Sequence, residues 1–519
     1  MDYYLYLVIA LLVLAIADLI VGVSNDAVNF LNSAIGSKVA SRRVILTIAA
    51  AGVFVGATFS SGMMEVARKG IFNPSFFSYA DVMVIFMAVM ITDIILLDLF
   101  NTLGMPTSTT VSIVFELLGA TVVTGLLVMS DNPSIADSIW EMINYEKASQ
   151  IIAGIFLSVG VAFSIGAVVQ WLCRLLFTFR FHQRLHKYGA PFAGFAIALI
   201  VYFMLVKGVK GATFITDDVA RNISKNAWTI VISAFAAGTV LVFILQRAFN
   251  AHPLKIVVLT GTFSLAMAFA GNDLVNFIGV PITGYQSYLL WTDTGLAASE
   301  FNMSQLASAV QTPSLLLYTA GIIMVLTLWF SGKAQRVTET EVKLGAQGAV
   351  SERFKPNLLS RGIVKASGLF ANFFTNIVPH RSVVVVNWRF RSLRIADDDR
   401  PAFDLVRASV NLMIASILIA FASSLKLPLS TTYVSFMVAM GTSLADRAWG
   451  QESAPYRVAG VLNVIGGWFL TAIGAFTAAG LVALAIYFGG FPAAMVLFVV
   501  ALIILAKTNL PKLFAKKKR

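Results

Sequence analysis

Val23-Ser24-Asn25-Asp26-Ala27-Val28-Asn29-Phe30 sets polar side chains into the first apolar run of the chain, and the signature returns as Gly271-Asn272-Asp273-Leu274-Val275-Asn276-Phe277. Both copies read Asn-Asp-x-Val-Asn-Phe, with Asp273 lying 247 positions after Asp26. A second paired signature follows each of them. Gly104-Met105-Pro106-Thr107-Ser108-Thr109-Thr110 and Lys426-Leu427-Pro428-Leu429-Ser430-Thr431-Thr432 share Pro-x-Ser-Thr-Thr, and each opens an apolar run. The order is the same in both halves, so the chain reads as a duplication. The longer spacing in the second half matches an insertion at residues 332–400.

The surroundings of these motifs are hydrocarbon-like. Of 519 residues, 58% are hydrophobic and 12% charged, against about a quarter charged in soluble domains. The mean hydropathy is +0.82. Repeated apolar runs of about 20 residues cross a bilayer as helices, and they lack the alternation of barrel strands. The expected class is therefore an all-α polytopic membrane protein of about 12–13 transmembrane helices. We place spans at 3–23, 42–60, 82–103, 108–129, 149–173, 190–207, 227–247, 254–271, 314–331, 404–425, 430–446, 457–488 and 491–507. The N-terminal Met1-Asp2-Tyr3-Tyr4 has no basic segment of signal-peptide type, so the first run is expected to be a span. Cys173 is the single cysteine and excludes an internal disulfide. The four histidines form no transition-metal pattern. The net charge of +12 reads as basic cytoplasmic loops and not as nucleic-acid binding.

Those loops orient the chain. Lys38, Arg42, Arg43, Arg174, Arg180, the twelve Lys and Arg of 332–400 and the tail Lys516-Lys517-Lys518-Arg519 fall on one side if the N-terminus is outside and the C-terminus cytoplasmic. In this count seven spans separate the first Asn-Asp motif, at the end of span 1, from its copy at the end of span 8. An odd number inverts the second half. Inverted repeats with interrupted helices meeting at mid-membrane are a transporter architecture. The resulting divisions are a first membrane repeat (1–175), connecting membrane helices (176–250), the first part of the second repeat (251–331), a basic cytoplasmic insertion (332–400), and the rest of the second repeat with a basic tail (401–519). Within the insertion, Val383-Val384-Val385-Val386-Asn387-Trp388 has the composition of a short strand.

Polar groups in hydrocarbon are costly and usually face a pathway. Asp26 and Asp273 supply charge, Asn25, Asn29, Asn272 and Asn276 supply amides, and Ser24 a hydroxyl. Hard oxygen ligands suit Na⁺, and a carboxylate can instead carry H⁺. Gly22 and Gly271 are expected to let the helices break and free carbonyls toward an ion. The Pro-x-Ser-Thr-Thr motifs read as helix starts, with Pro in the first turn and Ser or Thr as cap. A helix N-terminus attracts anions, and Ser108, Thr109, Thr110, Ser430, Thr431 and Thr432 surround it with hydroxyls. The substrate-binding set is thus Asn25, Asp26, Asn272, Asp273 and these six. The cation-binding set is Ser24, Asp26, Asn29, Asp273 and Asn276. Two carboxylates and an anion cannot share a low-dielectric site without cations or protons, so cation coupling is expected. Asp93, Asp98 and Glu116 also lie within spans, either as coupling-ion ligands or as structurally paired groups.

These motifs resemble the inorganic phosphate transporter (PiT) family, which contains sodium–phosphate and proton–phosphate symporters. The resemblance covers most of 20–125 and 255–480. It extends to Glu65-Val66-Ala67-Arg68-Lys69-Gly70-Ile71, similar to the family's Glu-Thr-Ile-Arg-Lys-Gly-Ile. It implies uptake of inorganic phosphate with Na⁺ or H⁺ by a homodimer in the plasma membrane, no further cofactor, and a place for Glu65 in cation binding. Many members carry His after the Ser-Thr-Thr triplet, where this chain has Val111 and Tyr433. That departure favours Na⁺. A sulfate or other oxyanion symporter of the same fold, and a non-transporting anion sensor, are the alternatives. No nucleophile triad, metal cluster or Walker loop points to an enzyme.

Overall fold

The computed structural model describes residues 2–60, 70–105, 107–207, 217–307, 313–345, 356–362, 364–366, 369, 379–390, 401–448 and 454–515. Glu65 and Pro106 lie outside them. The chain is a helical bundle. Its first half contributes α1 (Asp2–Asp26), α2 (Val28–Gly36), α3 (Arg42–Phe59), α4 (Tyr79–Leu103), α5 (Thr109–Asp131) and α6 (Tyr145–Phe177). Next come α7 (His182–Val201) and α8 (Ala227–Phe249). The second half contributes α9 (Pro253–Thr292), α10 (Ser314–Phe330), α11 (Gly332–Gly345), α12 (His380–Arg389), α13 (Leu405–Ser424), α14 (Thr431–Ala445) and α15 (Ala454–Ala515). Among the described residues, ten helices are long and apolar enough to cross a membrane, or eleven if α10 and the first turns of α11, bent by 68°, form one span. The difference from the expected thirteen lies in how segments join. α14 has 15 residues, and α15 holds the last two expected spans as two helices in tandem, divided at Gly490 (φ 59°, ψ −151°), where the sequence places their boundary.

Two local expectations fail. The helices do not break at Gly22 or Gly271. α9 is helical through its 40 residues. α1 passes into α2 with Ala27 itself in helical geometry, and the ladder carries on through Ala27 N–H to Val23 O (3.0 Å) and Leu31 N–H to Ala27 O (3.1 Å). The Asn-Asp motifs therefore sit inside long helices and not at the ends of spans. Gly22 serves packing instead: a side-chain carbon there would lie 2.1 Å from the Phe277 ring. The expected strand over 383–388 is helix α12. A run of valines does not by itself distinguish strand from helix. With no partner strand among the described residues, a helix is the conformation that satisfies its backbone groups locally.

The halves exchange neighbours. α5 of the first half packs on α15 of the second, and α14 of the second packs on α6 of the first. Equivalent glycines allow both approaches. A carbon added at Gly119 would lie 2.1 Å from the Phe476 carbonyl oxygen, and one at Gly441 would lie 2.2 Å from that of Phe163. Small residues at such points let membrane helices touch backbone to backbone.

A buried ion cluster ties α6, α13 and α14 together. Arg174 donates to both oxygens of Asp446 (2.9 and 2.6 Å) and to Asp404 (2.8 Å), while Arg407 Nε donates to Asp446 (3.0 Å). Asp404 also caps the first turn of α13 through the Arg407 N–H. Truncating one member leaves the remaining charges buried, and the loss exceeds what the intact pair contributes. Asp446→Ala is expected to lower stability by about 3–5 kcal/mol, read as an earlier midpoint in thermal or denaturant unfolding in detergent. An unchanged midpoint would mean that the cluster is energetically idle.

Candidate anion and cation site

The two Pro-x-Ser-Thr-Thr segments start helices. Ser108 is the cap of α5 and accepts from Val111 N–H. Ser430 is the cap of α14 and accepts from Tyr433 N–H. Capping turns the next two hydroxyls of each helix inward, and they meet the Asn-Asp motifs. Asp26 accepts from Thr109 Oγ1 (2.9 Å) and from Thr432 Oγ1 (3.1 Å). Asp273 accepts from Thr110 Oγ1 (3.2 Å) and from Thr431 Oγ1. Each carboxylate is thus held by one threonine of its own half and one of the other.

The outer asparagines repeat the exchange. Asn29 Nδ2 donates to Thr431 and Thr432 (3.2 and 3.1 Å), and Asn276 Nδ2 donates to Thr109 and Thr110 (3.4 and 3.0 Å). When contact i–j is matched by its equivalent j–i, the two bodies are related by a two-fold. The N-termini of α5 and α14 converge on this centre, which is dry: Asp26 and Asp273 are both 0% exposed.

The inner asparagines differ: Asn25 acts one layer out, while Asn272 Nδ2 also donates directly to Asp273 Oδ1 (2.6 Å). Asn25 Oδ1 accepts from Thr107 N–H (3.0 Å), and its Nδ2 donates to Asn101 (2.8 Å) and to Met105 O (3.3 Å). Asn272 Nδ2 donates to Leu429 O (2.7 Å), and its Oδ1 accepts from Ser423 Oγ (3.2 Å). Both fasten the loop whose next residues present the hydroxyls; Asn25 thereby positions the site, and Asn272 both positions and lines it. Ser24 lies apart from the cluster. Its hydroxyl donates to Ile20 O (2.6 Å) and contacts Ser331 Oγ (2.7 Å). Two helical residues apart from Asp26, it points to another face.

The start of the 332–400 insertion also belongs to the site. α11 packs on α1, α2, α4 and α14. Lys333 Nζ pairs with Asp98 (2.5 Å), which identifies that carboxylate as structurally paired. Glu341, 1% exposed, accepts a hydrogen bond from Asn32 Nδ2. Asn32 is one turn beyond Asn29. The sequence of this stretch reads as a basic cytoplasmic insertion, because nothing in its own composition reveals that a buried face lies opposite it. Asp18 was also missed, although a lone acidic residue in an apolar run is a signal. It lies with Asp93 and Glu116 in a second buried cluster.

Burial raises the Glu341 carboxyl from its ordinary 4.5 to about 8, opposed in part by the Asn32 amide. For an acid whose docked value is raised, the neutral form favours docking. The contribution is full below the undocked value and is lost as pH rises through about 8. On a Cys173→Ser background, thiol labelling of Thr338→Cys, buried on the same helix, is expected to speed up between pH 7 and 9 more than in a Glu341→Gln counterpart. Parallel profiles for the two would show that Glu341 does not govern docking.

With this geometry in view, comparison with known proteins is informative. The family model described as "Phosphate transporter family" matches residues 22–341, which contain both Asn-Asp motifs and the first Pro-x-Ser-Thr-Thr. A protein of Pyrococcus furiosus with a provisional phosphate-permease name is 25% identical over 270 residues, covering 49% of this chain. The chain spans 60% of that relative's length. A solved structure of a sodium-dependent phosphate transporter superposes with a TM-score of 0.65 at 18% identity, covering 93% of this chain and 99% of that one. At that identity the likeness concerns the fold.

Proposed function

The chain belongs to the phosphate transporter family, and from that premise we propose that it imports inorganic phosphate as a secondary transporter, by symport with Na⁺ (H⁺ being the other coupling ion). It is a multi-pass membrane protein, and membership places it among transporters and not enzymes. The observation that carries the proposal is the reciprocal bonding of Asp26 and Asp273 by Thr109, Thr110, Thr431 and Thr432.

In this reading the halves are inverted repeats in the plasma membrane, with the N-terminus outside and the C-terminus cytoplasmic, and the protein works as a homodimer. The N-termini of α5 and α14 hold the oxyanion with their N–H groups and hydroxyls. The carboxylates of Asp26 and Asp273, with the amide oxygens of Asn29 and Asn276, hold the cations. Neutralisation is a requirement, because two carboxylates and a phosphate in a dry centre repel strongly. Motion of one half against the other breaks the threonine bonds across the two-fold while leaving those within each half, which exposes the centre to one side at a time. Among oxyanions, hydrogen phosphate is favoured over sulfate. It donates hydrogen bonds to carboxylates, and sulfate has no proton to donate.

The test is labelled phosphate uptake by reconstituted protein, with Na⁺ and pH gradients imposed separately and sulfate as competitor. A Na⁺ gradient is expected to drive uptake that sulfate does not suppress. Asp26→Asn and Asp273→Asn each remove a charged acceptor of two hydroxyls, and each is expected to cut uptake about ten- to hundredfold. Uptake indifferent to both gradients would sink symport, and normal uptake by either variant would sink the shared site.

A further inference from the structure

The first half contains a second acidic cluster that the anion site does not use. Asp18 of α1, Asp93 of α4 and Glu116 of α5 are 0%, 1% and 0% exposed. α4 packs against both α1 and α5, which brings the three carboxyls into one neighbourhood of the core. Glu116 Oε1 accepts from Ser112 Oγ (2.8 Å). Beyond that the cluster is starved of donors. Both oxygens of Asp18, Asp93 Oδ1 and Glu116 Oε2 are buried with no hydrogen-bond partner among the described residues. The titratable groups facing each member are the other two, with Asp26 farther along α1.

The duplication shows what this place needs for packing alone. Counted from the paired motifs, the equivalents of Asp18, Asp93 and Glu116 are Leu265, Ala415 and Val438, all buried and apolar. The acidic residues are therefore not a demand of the fold. Carboxylates this close in low dielectric cannot all be ionised, and protons must be shared among them. A metal ion fits less well, since no group of three His, Cys, Asp or Glu among the described residues is arranged to hold one.

We propose that Asp18, Asp93 and Glu116 form a proton-binding site, separate from the anion site, that loads and releases a proton in each transport cycle. The inference rests on the transport reading above. The step forms one carboxyl O–H bond on loading and breaks it on release, with nothing oxidised or reduced. The link to transport is mechanical. Asp18 lies two turns, about 12 Å, before Asp26 on the same helix. Glu116 lies two turns beyond Thr109 on α5. When the bonds between halves part, Thr432 from Asp26 and Thr110 from Asp273, α1 and α5 are each released from the opposite half, and their shift changes the spacing of Glu116 from Asp18. Close carboxyls hold a proton tightly, and separated ones release it.

The experiment uses the full chain in sealed liposomes, with equal Na⁺ inside and outside, an entrapped pH dye and labelled phosphate. The readout is protons moved per phosphate at a fixed pH. The double variant Asp93→Ala, Glu116→Val, which installs the second half's residues, is expected to move one proton fewer per phosphate than the wild type. An equal ratio overturns the proposal. Should that variant not fold, wild-type protein alone decides. Phosphate-induced infrared difference spectra are expected to show a carboxylic C=O band changing, and no such change overturns the proposal. Phosphate uptake with no proton contribution from the cluster removes this inference alone. Absence of uptake by the wild type under any gradient removes the transport reading and this inference with it.

Discussion

Two carboxylates share one dry centre, and neither half of the chain can satisfy them alone. Asp26 and Asp273 each take one hydroxyl from their own repeat and one from the other. A buried acceptor left without donors costs about 1–3 kcal/mol, more when charged. The two halves are thus held together at their middle by a debt that each owes the other. Much of the nearby architecture follows. Asn25 and Asn272 fasten the loops that aim the threonines. Ser108 and Ser430 cap the helices that carry them. Gly119 and Gly441 let those helices reach across to the opposite repeat.

The sequence made the symmetric part of this legible. The paired motifs are short, polar and set in hydrocarbon, so each residue stands out against its surroundings. The helix starts at Ser108 and Ser430 follow from residue chemistry, as does the presence of Thr109 and Thr431 at one centre with the carboxylates, whereas the Asn-Asp motifs read as helix ends and lie in helix interior. What the sequence could not show is how hydroxyls are shared between halves, since that depends on an angle between helices hundreds of residues apart. Glycine misled the reading for a related reason. At Gly22 a missing side chain is equally consistent with unwinding and with a close neighbour, and the neighbour, Phe277, is known only from the fold.

The asymmetric part was harder to read. α11 is polar along its length, and its docking becomes visible only when Asn32 and Asp98 are found opposite it. Likewise Arg174, Asp404, Arg407 and Asp446 come from three separate stretches and look like loop charges one by one, yet together they form a buried cluster. Duplication supplies a reading frame for such features. Where two halves agree, packing and the shared centre are the common cause. Where they differ, as at Asp18 and Leu265, the difference marks something only one half does.

The docking of α11 makes the polar insertion a handle on the core. Glu341 grips Asn32, and Ser331, immediately before α11, touches Ser24, so the helix bears on residues flanking Asp26 and Asn29 on both sides. Lys333 anchors the same helix to the far end of α4 through Asp98. Three polar contacts, at Ser331, Lys333 and Glu341, thus fix α11 along α1, α2 and α4. A displacement of that one helix is therefore felt beside both polar residues that flank the first carboxylate.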